Sequence, residues 1–298
     1  MKRVVVLGAT GMLGHVVADV LEKNENLEVI KTSRDKLPAD RKGTWVKFDA
    51  AQVNSPLKSW VDDVDYVVNC IGVIKPHIKE DDAETVANAV VVNSYFPYRL
   101  DKLAREKDFT VIQIATDCVF SGYDGDYVES STHDPRDVYG KTKSLGEVFS
   151  PHFIHLRCSI IGPELGRQTS LLEWVLSQKD GAAINGFRNH RWNGITTLAF
   201  AEICNGLIEE GVKGGFLQHV VPADTVNKYE LLQLIATHFG RDDIEVKKAK
   251  GAEGIDRTLR TDELGRNYEM WDLAGLMGAP NIDYMVRKLA EYVENSKL

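Results

Sequence analysis

The 298-residue sequence has no apolar run approaching 18 residues, so no stretch reads as a membrane-spanning helix. It also lacks any block of five or six basic residues, and its net charge is −8. That balance argues against nucleic acid or an anionic membrane surface as a partner, though it leaves room for a local basic pocket. Cysteine is sparse: Cys70, Cys118, Cys158 and Cys204 are scattered without Cys-x-x-Cys spacing. They read as reduced, mostly buried thiols, not as a disulfide framework or a zinc site. His152 and His155 come without a cysteine or acidic partner set, so no metal is expected. Met1-Lys2-Arg3 runs into an apolar stretch too short for a secretion signal, and the expected location is cytoplasmic. No internal repeat or low-complexity segment is visible.

Hydrophobic residues make up 43% of the chain and charged residues 27%, ordinary globular values that exclude disorder as the main state. At roughly 150 residues per domain the length suggests two domains. Residues 2–7, 27–32, 45–48, 66–71, 110–115 and 153–161 are short apolar runs of strand character. Helical spacing falls between most of them, at 12–23 and across 83–107. Strands alternating with helices predict an α/β fold, a Rossmann-like doubly wound parallel sheet. Beyond about 165 the rhythm changes, with helices expected at 171–178, 197–210, 228–239 and 285–295 between loops rich in Gly, Asn and Arg. The expected division is a dinucleotide-binding domain over 1–165, with about 190–220 returning to it. A smaller α/β substrate-binding domain is expected over most of 166–298.

The first strand is followed at once by Gly8-Ala9-Thr10-Gly11-Met12-Leu13-Gly14. Gly8 permits a tight turn, Gly11 lets backbone approach a pyrophosphate, and Gly14 lets the helix pack closely on the strand. The helix N-terminus presents free N–H groups and the positive end of its dipole to the anion. The second strand ends in Lys31-Thr32-Ser33-Arg34-Asp35. An acidic residue there holds a ribose 2′-hydroxyl and an arginine accepts a 2′-phosphate. With Ser33 as donor and Lys31 and Arg34 supplying positive charge, NADP(H) is favoured over NAD(H). Asp49 is placed to face the adenine, and small residues at Cys70, Ile71 and Gly72 let the cofactor pass. Glycines spaced three and three in this context resemble the extended short-chain dehydrogenase/reductases.

Thr116 ends the fifth strand, on the side where open α/β sheets bind ligands. Tyr139 and Lys143 are four residues apart, on one face of a helix about one turn apart. A free phenol titrates near 10, too high for ready proton exchange at neutral pH. A neighbouring ammonium favours the phenolate and lowers that value. The expectation is that Tyr139 gives a proton to a carbonyl oxygen while hydride reaches its carbon. Thr116 would hydrogen-bond the reacting oxygen, and Lys143 would also hold the nicotinamide ribose.

Ala115-Thr116-Asp117-Cys118-Val119-Phe120-Ser121-Gly122, Tyr127-Val128-Glu129, Pro135 and Val138-Tyr139-Gly140-Lys141-Thr142-Lys143 through Gly146-Glu147 form one pattern. It resembles the dTDP-4-dehydrorhamnose reductase family across the chain, most specifically over 115–147. The resemblance implies an NAD(P)H-dependent oxidoreductase acting on a nucleotide-linked 4-keto-6-deoxy sugar, in polysaccharide biosynthesis. It places the family's catalytic threonine, tyrosine and lysine on Thr116, Tyr139 and Lys143. Asp117 matches a neighbouring acid, positional or substrate-contacting. Cys118 stands where the family usually has an aromatic residue. Asn193-Gly194-Ile195-Thr196 lacks the proline of the family's substrate segment, so the sugar is open to difference. Trp192, Asn193 and Thr196 are the substrate-side candidates. Arg157, Arg191 and Arg257 are candidates for the nucleotide diphosphate, with structural roles equally open. Two other readings stay open: an epimerase or dehydratase that retains its nucleotide, and a non-catalytic subunit resembling the regulatory one of methionine adenosyltransferase. The sequence leaves open whether the chain forms a homodimer.

Overall fold

The computed structural model describes residues 1–34, 43–53, 61–166 and 169–296. Asp35, the acidic alternative at the tip of the second strand, lies outside the described residues. The first half runs β1 (Lys2–Leu7), α1 (Met12–Glu22), β2 (Leu27–Ser33), β3 (Thr44–Lys47), β4 (Tyr66–Asn69), α2 (Ala83–Ala89), a π-helical segment Val90–Tyr95, α3 (Phe96–Lys107), β5 (Thr110–Thr116), α4 (Val138–Leu145) and β6 (Phe153–Cys158). The chain continues through β7 (Ile160–Ile161), α5 (Leu171–Leu176), β8 (Ala183–Phe187), β9 (His190–Trp192), β10 (Ile195–Thr196), α6 (Thr197–Glu210) and β11 (Phe216–His219). It ends in β12 (Val226–Asn227), α7 (Lys228–His238), β13 (Glu245–Ala249), β14 (Ile255–Asp256), α8 (Leu264–Leu273) and α9 (Ile282–Ser296).

Among the described residues, seven strands form one parallel sheet in the order β11-β6-β5-β4-β1-β2-β3. The unbroken β-branched run of β1 is what a strand buried on both faces requires. Val4 and Val6 point into one core with Val16 and Val17 of α1, Phe200 and Ile203 of α6, and Trp271 of α8. Val5 and Leu7 point into the opposite core with Phe96, Leu100 and Leu103 of α3. Helices on both faces make this the expected doubly wound α/β fold. The strand order reverses between β1 and β4, so a crevice opens there beyond the carboxyl ends of the strands.

The C-terminal half is interleaved with this sheet. β11 extends its edge beside β6. Lys2 Nζ donates to the carbonyls of Ile208 (2.6 Å) and Glu209 (2.8 Å) at the end of α6. The Tyr292 hydroxyl of α9 donates to Asp19 of α1 at 2.6 Å. The smaller strands form separate ribbons: β8 with β13, β9 between β12 and β14, and β7 with β10.

Several elements differ from the sequence expectation. The run 153–161 breaks into β6 and β7, because after Cys158 the backbone turns toward β10, Ser159 O accepting from Ile195 N at 2.9 Å. The helical stretch 83–107 contains the π segment at its centre. Several of the expected Gly-, Asn- and Arg-rich loops hold strands, and α8 carries no strong apolar stripe by which to be read.

Arg157 is not a surface or ligand cation. It is 1% exposed, paired through Nη2 with Glu147 just beyond α4. It also donates to His219 Nε2 (2.7 Å) and His133 Nε2 (2.9 Å). Accepting those bonds requires both imidazoles to be neutral at Nε2. His219 Nδ1–H then donates to Arg260 O (2.7 Å), and His133 Nδ1–H to Ser144 Oγ (2.7 Å). Burial, with Arg157 beside it, pushes the His219 imidazole down to about 4. Burial lowers His133 as well. Each folded-state value lies below the unfolded one, so the unfolded chain binds more protons and stability falls as the pH is lowered. The contribution is complete above about 6.5 and is lost progressively toward about 4. The thermal midpoint should therefore drop across that window, and His219→Gln, which keeps an acceptor for Arg157, should flatten the drop. A wild-type midpoint constant from pH 7 to roughly pH 4.5 would contradict the assignment.

Candidate functional site

The glycine turn sits at the switch point of the sheet. A Cβ on Gly14 would overlap the Gly8 carbonyl, so α1 packs against β1 at a distance only glycine allows. The N-cap of α1 is Gly11, with no side-chain cap and no acid in the first turn. A Cβ on Gly11 would meet only the Gly8 carbonyl, at 3.3 Å, so the space over the helix end is otherwise open. Thr10 and Gly11 are exposed there, Met12 is partly exposed and Leu13 is buried. Thr32 ties the turn down: its Oγ1 accepts from Gly8 N (3.0 Å) and its carbonyl from Ala9 N (3.1 Å). No sequence motif assigns Thr32 this role; its position one residue before the strand tip is the available signal.

Ser33 is buried at the end of β2 and Arg34 is exposed just beyond it. Lys31, expected to add positive charge there, instead pairs with Glu22 and lies over the Trp45 ring. Asp49 accepts from Ala51 N at 3.0 Å in a turn after β3. Cys70, Ile71 and Gly72 follow β4, next to the glycine turn, with Cys70 N donating to Leu7 O at 3.1 Å. A Cβ on Gly72 would approach only Asn93, at 3.6 Å. The uncapped helix end, the glycine cradle and the open space at Gly72 after β4 fit an extended dinucleotide.

α4 is set by close contacts at both ends. At its start, Asp137 caps the helix by accepting from Gly140 N (2.8 Å), while Glu80 accepts from Val138 N (2.9 Å). A Cβ on Gly140 would overlap the Cys118 carbonyl and crowd Pro135. At its end, a Cβ on Gly146 would overlap the Asn93 carbonyl of the π segment. Asn93 Nδ2 donates to Thr142 Oγ1 (3.1 Å), and Ser94 Oγ to Thr142 O (2.7 Å). Asn93 also brackets Val73, accepting from its N–H (2.8 Å) and donating to its carbonyl (2.9 Å). One π segment thus holds the helix of Tyr139 and the loop after β4 together. Asn93 and Ser94 were missed in the sequence; two adjacent polar residues within an otherwise apolar helical pattern were the available sign.

These contacts bring Tyr139 against Thr116, Asp117 and Cys118. Thr116 Oγ1 accepts from Cys118 N (3.2 Å) and donates to Asp117 Oδ1 (3.2 Å). Burial raises the Tyr139 phenol well above its ordinary value, helped by the nearby Cys118, Asp117 and Asp137; the Thr116 hydroxyl works the other way. Lys143 lies one turn further along the same helix and reaches β5 two residues before Thr116. Its Nζ donates to Ile114 O at 2.9 Å, and burial pulls its ammonium down to about 8, with Glu147, Cys70 and Cys158 opposing. The expected lowering of the phenol by Lys143 is therefore not the state of this structure, because loss of water outweighs a cation held on a carbonyl. Burial also raises the Asp117 carboxyl, against Arg257 and Lys75. It pushes the Cys118 thiol to about 11.

On the other side of the crevice, Trp192 is partly buried and donates from Nε1 to Ser159 Oγ at 2.8 Å. Asn193 gives both ends of its amide to the Leu259 backbone, at 2.7 and 2.9 Å. Thr196 is buried and caps α6 through Ala199 N (3.2 Å). Arg257 donates to Phe120 O (2.9 Å) and Ser121 O (3.2 Å), while Arg191 is exposed near Asp256. Among the described residues no cluster of His, Cys, Asp and Glu is placed to hold a metal, and no helix is long and apolar enough to cross a membrane.

The sequence matches the family described as RmlD substrate binding domain over residues 1–263. The chain belongs to that family. The dTDP-4-dehydrorhamnose reductase of Aggregatibacter actinomycetemcomitans is 31% identical over 172 residues, 56% of this chain and 54% of that protein. That of Mycolicibacterium smegmatis is 31% identical over 148 residues, 49% of this chain and 40% of that one. The matched region thus spans about half the length of these reductases or less. The methionine adenosyltransferase 2 subunit beta of Danio rerio is 27% identical over 252 residues, 80% of this chain and 74% of that protein. Among solved structures, a Clostridium acetobutylicum dTDP-4-dehydrorhamnose reductase superposes with a TM-score of 0.75 at 20% identity, covering 99% of this chain and 100% of that one. The Bacillus anthracis reductase in complex with NADP does so at 0.70 and 17% identity, over 99% of this chain and 100% of that one. These establish the RmlD-family α/β fold.

Because Gly140 sits against backbone, Gly140→Ala should cost about 1–3 kcal/mol of stability through overpacking. Gly265→Ala in α8, where a Cβ meets nothing within 4 Å, should be neutral or slightly stabilising. Chemical denaturation of the two variants distinguishes them; equal stabilities would mean that α4 does not depend on this contact.

Proposed function

We propose that the protein is an NAD(P)H-dependent reductase of a nucleotide-linked 4-keto-6-deoxy sugar, of the dTDP-4-dehydrorhamnose reductase kind. The observation that carries the reading is the meeting of Thr116 and Tyr139 beyond the carboxyl end of β5, across the sheet's switch point from an uncapped glycine turn. The bound nucleotide supplies hydride. Gly8, Thr10, Gly11, Met12, Leu13 and Gly14 would cradle its pyrophosphate, with Asp49 and Cys70 to Gly72 along its length and Lys143 at its ribose. Tyr139 gives its proton to the keto oxygen, and Thr116 hydrogen-bonds the same oxygen; because burial opposes the phenolate, the cations around the phenol offset that cost as the proton leaves. Asp117 and Trp192 would meet the sugar, and Asn193 and Thr196 would shape the loop around it.

NADPH absorbance should fall on addition of a nucleotide 4-keto sugar, and Tyr139→Phe should slow turnover by roughly 100-fold or more. Equal turnover by both proteins would remove Tyr139 from the chemistry.

Preference for the 2′-phosphate rests on Arg34, since Lys31 is committed to Glu22. Arg34→Ala should raise the KM for NADPH roughly tenfold, the scale of a lost charge-assisted hydrogen bond. The KM for NADH should stay nearly unchanged; an equal change in both would point to NAD(H).

A second reading is supported by the match over 80% of the chain to a methionine adenosyltransferase subunit beta. In it the protein works by binding a partner. Recovery of a stoichiometric complex, together with no turnover of any nucleotide keto sugar, would favour it over the reductase.

A further inference from the structure

Lys75 opens a 3₁₀ turn, Lys75–His77, in the loop between β4 and α2. No motif read in the sequence includes it. Asn93 holds this loop at Val73, and Glu80 holds it at the start of α4. Between those anchors the Lys75 ammonium lies 2.6 Å from Asp137 Oδ2 and 6.0 Å from the centre of the Tyr139 ring. Asp137 uses its other carboxylate oxygen to cap α4 through Gly140 N. One carboxylate therefore joins the loop, the helix N-terminus and the cation beside the phenol.

We propose that Lys75 is a positioning residue for Tyr139: by holding Asp137 in its cap and lying over the Tyr139 ring, it fixes the place and electrostatic surroundings of the phenol. Every charged or titratable group around the pair enters the balance. Asp117 and Cys118 face Tyr139 from the turn after β5, and Asp137 faces it from the start of α4. Glu80 lies at the helix start, and Lys143 donates to Ile114 O one turn further along. Arg257 adds a cation that acts on both Asp117 and Asp137. Removing Lys75 would leave two carboxylates near the phenol with Arg257 as the other cation acting on them. Side chains of Lys75 and Asp137 are 42% and 28% exposed, so the pair adds little to global stability. Its effect is local. The Asp137 carboxyl is held below the ordinary range by Gly140 N–H and by Lys75, against burial, so it should titrate at higher pH without the lysine.

The inference uses the catalytic role given to Tyr139 above, so its test has one arm that needs no substrate. Carbon-13 tyrosine and aspartate labels, assigned with Tyr139→Phe and Asp137→Asn, report on the intact protein. Lys75→Met should move the Tyr139 ring resonance and raise the Asp137 titration midpoint, with the thermal midpoint nearly unchanged, and Lys75→Arg should restore both signals. In the activity arm, Lys75→Met should lower kcat roughly tenfold, about 1.4 kcal/mol, while the KM for NADPH stays within about twofold. Unchanged resonances in Lys75→Met, or an arginine variant as altered as the methionine one, would overturn the proposal. If wild type turns over no keto sugar and the resonances still move, the reductase reading fails and the positioning role stands.

Discussion

The carbonyl of Cys118 occupies the place where a side chain at position 140 would have to be, and the site depends on that exclusion. It lets α4 descend onto the turn that follows β5. Tyr139 is the residue before that glycine, so its phenol is delivered to Thr116 by backbone packing and not by the reach of a flexible side chain. Gly146 repeats the device at the other end, against Asn93 of the π segment. The helix is short, Val138–Leu145, and too short to hold itself by its own hydrogen bonds. Its caps at Asp137 and Glu80 and its two glycine contacts supply what length does not.

The same π segment explains why two distant loops act together. Asn93 satisfies both backbone groups of Val73 while donating to Thr142. The loop after β4 and the helix of Tyr139 are therefore registered against one amide group. Glu147, Arg157, His219 and the partly buried His133 lock the far end of α4 to β6 and β11. Breaking a buried charged set leaves an uncompensated charge, which is why such sets are costly to disturb. The sheet supplies the crevice, and these polar anchors set the angle of the helix that faces it.

Much of this was readable from residue patterns. The β-branched run 2–7 and the spacing of Leu13, Val16, Val17 and Val20 announce a strand buried on both faces and the helix after it. The glycines at 8, 11 and 14 mark the turn between them. Helix α6 is legible because its apolar residues repeat at helical spacing over fourteen residues. The short strands β9, β12 and β14 were not, since two or three residues carry no period; their pairing is set by where the chain is returned. Arg157 was ambiguous for a different reason. A guanidinium suits a phosphate and a buried carboxylate equally well, and only the position of Glu147, ten residues earlier, decides between them. Asn193 likewise looked available until the structure gave both ends of its amide to Leu259.

The electrostatics of the tyrosine–lysine pair could not have been read from spacing. Four residues on a helix put two side chains on one face, but they do not say which group faces water, which faces a carbonyl and which faces an acid. Here Lys143 meets Ile114 O and a set of buried thiols, and both ionisable groups lose solvation. Desolvation moves the phenol up and the ammonium down, so the two values part with the phenol above the ammonium, the reverse of the order that mutual attraction would set. The phenol is left as a neutral acid, so the charges placed around it decide how readily its proton leaves. A cation at the helix start, on Asp137, then matters more than its exposure suggests. It acts on one of the two carboxylates that disfavour the phenolate, and it does so from a loop that the Asn93 bonds hold to the same helix.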